Sequence, residues 1–157
     1  MKQRYDPSEM EELLREAEKE GIRRFSVGAG ILNDDGALLV LKRKADDSFP
    51  GMFEIPGGGV DNGETLSEAV CRETMEETGL TVADILCFCG TFDYQERGRT
   101  RQFSFLVTAQ STENITLSEH DEYLWIHSVN GLSCTPEMLQ VIETIFKNAV
   151  IWKEKRM

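Results

Sequence analysis

Long apolar runs are missing from this sequence of 157 residues. No stretch approaches the roughly 18 uninterrupted apolar residues that a membrane-spanning helix needs. The opening MKQRYDPSEM puts no apolar segment behind its basic residues, so no secretory signal is expected. Cysteine is scarce: Cys71, Cys87, Cys89 and Cys134 are too few for a disulfide scaffold in a chain this long. Reduced thiols and a cytoplasmic location are the simplest expectation. Cys87 and Cys89 alternate within an apolar run and would share one face of a strand, but no second Cys or His pair stands nearby at zinc spacing. Histidine is limited to His120 and His127, and no Ser/His/Asp constellation can be assembled. Basic residues are the minority, 17 Lys and Arg against 28 Asp and Glu, for a net charge of −11. An acidic surface repels extended nucleic acid and anionic lipid. A small phosphorylated substrate remains compatible if a divalent cation reverses the local sign.

What is present suits one domain over residues 1–157, with 40% apolar and 29% charged residues. There is no internal repeat, low-complexity segment or linker. An extra N-terminal helix is predicted within residues 1–21: Asp6 caps it, Pro7 takes its first position, Met10, Leu13, Leu14 and Ala17 share a face, and Gly21 stops it. It could support a homodimer or cover its own sheet. A hairpin is expected next, from Phe25–Leu32 through a turn at Asn33-Asp34-Asp35-Gly36 to Ala37–Lys42. Ala45–Gly51 reads as a loop, and Phe53–Ile55 as a short strand entering Pro56-Gly57-Gly58-Gly59. A helix over about Leu66–Thr78 follows, then strands at Ile85–Tyr94, Gln102–Thr108 and Tyr123–Ser128. The last helix starts at Thr135 and Pro136 and buries Leu139, Ile142, Ile145 and Phe146. Strands interspersed irregularly with helices predict an α+β or α/β sandwich, a mixed sheet covered by helices.

The central helix is the informative element. Thr65-Leu66-Ser67-Glu68 is a capping box and Gly79 a stop signal. Leu66, Ala69 and Val70 define an inward face. At 100° per residue that face continues through Glu73 and Glu77, with Glu76 on its shoulder. The stripe thus begins apolar and ends in three carboxylates, and burying each unpaired would cost several kcal/mol. A hard divalent cation such as Mg²⁺ or Mn²⁺, which prefers oxygen ligands, compensates well. Arg72 can supply the remainder through Glu68 or Glu76, each four residues away. Alone, ETMEET reads as a solvated face. The inward phase, the glycine run upstream and the interval between them favour a site.

That interval reads Gly58, five residues, Glu64, seven residues, then Arg72-Glu73-Thr74-Met75-Glu76-Glu77-Thr78-Gly79-Leu80. Over residues 58–80 it resembles the signature of the Nudix hydrolases, agreeing at every charged and glycine position. Thr74 departs from the family's apolar residue, which bears on packing more than on chemistry. The flanks Phe53-Glu54-Ile55-Pro56-Gly57-Gly58 and Glu119-His120 before Trp125 resemble the family's lead-in and late acidic loop.

The resemblance implies a Nudix-type mixed β-sheet sandwiched between α-helices, and hydrolysis of a nucleoside diphosphate linked to another group. It assigns Glu73, Glu76, Glu77 and the Gly57 carbonyl to Mg²⁺, with Mn²⁺ as a substitute. Glu64 would support the loop or a metal-bound water. Arg72, Glu76 and Glu119 are the candidate catalytic residues, with Glu119 or a helix glutamate taking a proton from the attacking water. Arg43, Glu54 and Gly58 are candidate substrate contacts. Lys42 and Arg43 equally read as strand-end solubilisers. Arg97, Arg99 and Arg101 read as a solvated hairpin tip or a substrate clamp, and Phe49, Phe53, Tyr94 and Trp125 as core or as base-stacking residues. His120 either assists a base or lies on the surface; His127 needs no function. No proline lies between Pro56 and Pro136, where ADP-ribose hydrolysis would place one, and Tyr94 lies nearer than the tyrosine of dinucleoside polyphosphate cleavage. The expectation therefore leans to nucleoside triphosphates of the MutT type, with ADP-ribose or a nucleotide sugar next. A non-catalytic nucleotide sensor would have lost helix carboxylates, and RNA 5′-end processing would favour a basic surface.

Overall fold

The computed structural model describes residues 5–47 and 49–156. The basic start of the chain, Ser48 in the expected Ala45–Gly51 loop and Met157 lie outside them. Helix α1 (Pro7–Lys19) is capped by Asp6, whose side chain accepts from the Ser8 N–H at 2.9 Å. Strands β1 (Arg24–Ile31) and β2 (Leu38–Arg43) follow. The Asn33–Gly36 turn forms as expected, with the Asn33 side chain accepting from Asp35 and Ala37 N–H. The expected hairpin does not. A single bridge, Leu32 to Leu38, spans the turn before the strands part into different sheets. The reason is that both edges of β1 are already taken, one by β4 (Gly57–Gly59) and the other by β6 (Arg99–Ala109).

The strands build two sheets rather than one. A mixed four-stranded sheet runs β4-β1-β6-β5, with β1 and β6 parallel and β5 (Val82–Gln95) antiparallel to β6. A three-stranded antiparallel sheet runs β3 (Phe53–Glu54), β2, β7 (His120–Ile126). Side chains alternate across the mixed sheet. Val27, Ala29, Phe103, Phe105 and Val107 pack with Met10 and Ala17 of α1 and with Leu66, Ala69 and Val70 of α2 (Leu66–Thr78). Leu86, Cys89 and Leu106 point the other way, against Met138, Val141, Ile142 and Ile145 of α3 (Pro136–Arg156). The sandwich predicted from sequence is thus present. Cys87 and Cys89 both face α3 and are free thiols.

The N-terminal helix covers its own sheet. The Tyr5 N–H donates to Ile85 O at 2.9 Å, and its ring lies 5.9 Å from that of Phe105. Arg101, expected at a solvated tip or in a clamp, is only 13% exposed: it ties Asp93 to Glu20 at the end of α1. Arg99 also pairs with Asp93, which leaves Arg97 at the turn, with φ +55°. No helix among the described residues is long and apolar enough to cross a membrane.

Candidate active site

Helix α2 carries the site and is closed at both ends by side chains and glycine. Thr65 Oγ1 accepts from the Glu68 N–H at 3.0 Å and Glu68 accepts from the Thr65 N–H at 2.9 Å, which completes the capping box. Gly79 ends the helix at φ +76°, where any other residue would be strained. The inward stripe of Leu66, Ala69 and Val70 continues through Thr74, Glu77 and Thr78, all buried. Glu73 lies at its border, with 13% of its side chain exposed. Glu76 does not complete the inward set. It is 57% exposed, because it stands 100° around the helix from Glu77.

Glu77 is the anomaly of this region. It is 5% exposed and has no cationic partner among the described residues; its Oε1 accepts the Gly57 N–H at 2.8 Å. Burial pushes its carboxyl up to about 8, the Gly57 N–H opposes this, and the nearby Glu54, Glu73 and Glu119 push it further up. Burial likewise raises Glu73, whose other neighbours are Arg72, which lowers it, and Glu76 and Glu119, which raise it. Five carboxylates therefore share one electrostatic neighbourhood. The glycine run permits their approach: a Cβ on Gly57 would run into the Val27 carbonyl, and one on Gly58 into the Glu73 carboxylate. Rather than only a loop, Gly57–Gly59 forms β4, with Gly58 opposite Val27 of β1.

Arg72 is the cationic centre. It grips Glu64 with two N–H groups at 2.7 and 2.9 Å, reaches Glu73 at 2.8 Å and Glu76 at 3.2 Å, and donates to the Gly59 carbonyl at 2.8 Å. Its pairing with Glu76 follows from the four-residue spacing. Glu68 is not a partner, because the capping box already uses it. Glu64 supports the loop, also accepting from the Asp61 N–H at 2.9 Å.

A second cluster frames the lead-in. Glu54 accepts from Arg43 at 2.9 Å and meets His120 Nε2 at 2.8 Å, while Arg43 also pairs with Asp47 at 2.6 Å. Arg43 and Glu54 thus face each other, and Lys42 faces Glu122 at 3.8 Å. His120 is not a surface residue: only 4% of its side chain is exposed, since β7 begins there rather than at Tyr123. Its pairing with Glu54, 66 residues away, leaves no trace in the sequence beyond a histidine in an acidic run. Glu119 is exposed at the end of an irregular segment, and His127 is exposed. Of the aromatics, Phe53 and Trp125 pack on the cores, Tyr94 donates to Ser26 Oγ at 3.0 Å, and Phe49 lies 51% exposed beside the Arg43 guanidinium.

This fold and this site define a hydrolase of the Nudix kind, and comparison with known proteins agrees. The family model described as NUDIX domain matches residues 22–144, and the chain belongs to that family. It is 33% identical over 126 residues to an "ADP-ribose pyrophosphatase" of Methanocaldococcus jannaschii, covering 79% of this chain and 72% of that protein. Over 60 residues it is 42% identical to "Nucleoside triphosphatase NudI" of Escherichia coli, covering 37% of this chain and 42% of NudI. A MutT protein from Methanosarcina mazei superposes with a TM-score of 0.63 at 27% identity, over 81% of this chain and 94% of that one. The protein is a Nudix pyrophosphohydrolase acting on phosphoanhydride bonds.

Proposed function

We propose that the chain hydrolyses nucleoside triphosphates with a divalent cation, Mg²⁺ or Mn²⁺, held by Glu73, Glu76, Glu77 and the Gly57 carbonyl. The observation that carries this reading is Glu77: a carboxylate 5% exposed, among Glu54, Glu73 and Glu119, with one backbone N–H as its partner. A carboxyl so placed keeps its proton until an opposite charge is supplied, and ionises readily only beside one. Among the described residues no three His, Cys, Asp or Glu groups are already gathered around one point, since Glu73 and Glu76 turn to Arg72 and Glu77 to Gly57. The donor chemistry nevertheless fits a hard cation, because every group available is oxygen. Such an ion, when bound, neutralises phosphate charge and polarises the phosphorus under attack.

The protein's own contribution is alignment and proton handling, as phosphoryl transfer requires. Arg72 fixes the loop of residues 59–64 against α2, and Gly58 lets the chain approach Glu73. Glu119, exposed and near enough to Glu73 and Glu77 to raise both carboxyls, takes the proton of the attacking water; Glu76, also exposed, is the alternative acceptor. Arg43 and Glu54, engaged with each other, frame the substrate path.

The relative covering 79% of the chain supports a second substrate, ADP-ribose or a similar diphosphate, because selection of the second moiety falls outside the signature. Incubation with a panel of nucleoside triphosphates, ADP-ribose and nucleotide sugars, with Mg²⁺ or with chelator, decides between them. Mg²⁺-dependent pyrophosphate release from a triphosphate is the expected outcome. Cleavage of ADP-ribose alone selects the second reading, and turnover undiminished by chelator refutes the metal assignment.

A further inference from the structure

The proposed proton acceptor Glu119 is the last residue of a stretch, 110–119, that forms neither helix nor strand. A general base needs a defined position, and displacement by about 1 Å can cost two orders of magnitude in rate. The residues on either side of Glu119 supply that definition. Ser118 Oγ donates to the Glu76 carbonyl of α2 at 2.8 Å. On the other side His120 is sunk into the three-stranded sheet, with Nε2 2.8 Å from Glu54 Oε2. A carboxylate only accepts, so Nε2–H donates. The remaining ring nitrogen, Nδ1, is buried without a hydrogen-bond partner, which suits a bare lone pair better than a second N–H.

Glu54 is itself held by Arg43, and Arg43 stands opposite His120 in the β2–β7 register, beside a bulge at Lys42 and Arg43. Each strand of the small sheet thus contributes one member: Arg43 from β2, Glu54 from β3 and His120 from β7. From Glu54 the chain runs through buried Ile55 and Pro56 to Gly57, whose N–H holds Glu77. One set of bonds therefore references the loop to the helix carboxylates on one side and to the lead-in on the other.

We propose that Ser118 and His120 are positioning residues that clamp Glu119 over the helix carboxylates, His120 acting through Glu54 and Arg43. Neither touches the substrate. The inference rests on the assignment of Glu119 as proton acceptor, and its test separates the two.

In the full-length protein, His120→Ala and Ser118→Ala should each lower kcat by about tenfold or more, with KM and the Mg²⁺ half-saturation within about twofold. His120→Gln, which keeps a neutral N–H at the position of Nε2, should recover most of the rate. In a Glu119→Gln background neither substitution should slow the enzyme further, because a clamp on a missing base has nothing to position. Full additivity with Glu119→Gln, an unchanged kcat in both Ser118→Ala and His120→Ala, or a His120→Gln variant as slow as His120→Ala overturns the proposal. Ser118 is exposed, so its variant remains informative if His120→Ala fails to fold. Hydrogen exchange without substrate gives a readout independent of turnover. Amides of residues 117–121 should exchange at least about tenfold faster in the variants while those of α2 stay protected; equal exchange refutes the clamp. If the wild-type protein cleaves no phosphoanhydride with Mg²⁺, the proposed function fails, and exchange alone decides whether the clamp exists.

Discussion

Replacing Glu77 with Gln keeps an acceptor for the Gly57 N–H and removes only the capacity to ionise, so it isolates what that ionisation costs and what it does. In the fold this carboxyl titrates at about 8, against an ordinary value of 4.5, with burial as the main cause. The sign follows from which state holds the proton more tightly. Below the ordinary value the group is protonated folded and unfolded, and adds no penalty. As pH rises from 4.5 toward 8 the unfolded chain ionises freely while the folded one resists, so stability falls; above 8 the penalty is constant. At 1.36 kcal/mol per unit, keeping this side chain protonated in the fold while the unfolded chain ionises costs on the order of 3 kcal/mol at neutral pH. The Gln variant should therefore be more stable than wild type by roughly that amount at pH 7 without divalent ions, and equally stable near pH 4. Urea unfolding at a series of pH values measures the difference directly. Turnover should move oppositely, falling on the order of 10²-fold, as when one preorganised electrostatic group is lost. Parallel stability–pH curves for the two proteins between pH 5 and 8 would refute the reasoning, and near-wild-type turnover would remove Glu77 from the metal set.

Arg72→Lys replaces five fixed donors with three on a flexible stem, so the paired grip on Glu64 is lost. Unfolding free energy should drop by about 1.5–3 kcal/mol, the worth of a charge-assisted bond, and amides of residues 59–64 should exchange faster; unchanged exchange would deny Arg72 its loop-holding role. Thr74 is fully buried with no hydrogen-bond partner for its hydroxyl. Thr74→Val should stabilise the protein by about 1 kcal/mol with turnover unaltered, and a loss in urea midpoint would show that the hydroxyl is satisfied. Hydrogen bonds from Arg101, then Arg99, hold the Asp93 carboxyl below its usual range. Its contribution is present above that range and lost as pH falls through the lowered value, so Asp93→Asn should weaken the protein at pH 7 but not in strong acid; a constant difference across acid titration contradicts this.

Local signals were legible wherever the interaction partners were local. The limits of α2 can be read from the sequence because its capping box and terminal glycine act within four residues of each end. The Asn33–Gly36 turn is equally local, but what its flanking strands pair with is not. Sequence spacing suggested that β1 would pair with β2, whereas β4 and β6 claim its edges from further along the chain. Gly57–Gly59 is made of a residue depleted in strands and becomes a strand because β1 lies beside it. The same limit applies within the site. Helical spacing finds Glu76 as a partner for Arg72 but not Glu64, which lies outside the helix. The burial of His120 depends on strands β2 and β3 meeting β7, a fact of tertiary structure alone.

The distribution of partners explains how the fold tolerates so much negative charge at one place. Arg72 serves Glu64, Glu73 and Glu76 together, and Arg43 serves Glu54 and Asp47, so those carboxylates are stabilised within the protein itself. Among the described residues Glu77 receives one backbone N–H and no cation. The residual instability is therefore concentrated on a single side chain at the junction of lead-in and helix. A cation that bound there would stabilise the folded state by RT ln(1 + [ion]/Kd), since the unfolded chain has no comparable cluster. Ion affinity and the raised carboxyl would then be two expressions of one free energy: each proton that leaves Glu77 would make room for positive charge, and the affinity of such an ion would rise with pH up to about 8 and level off beyond it.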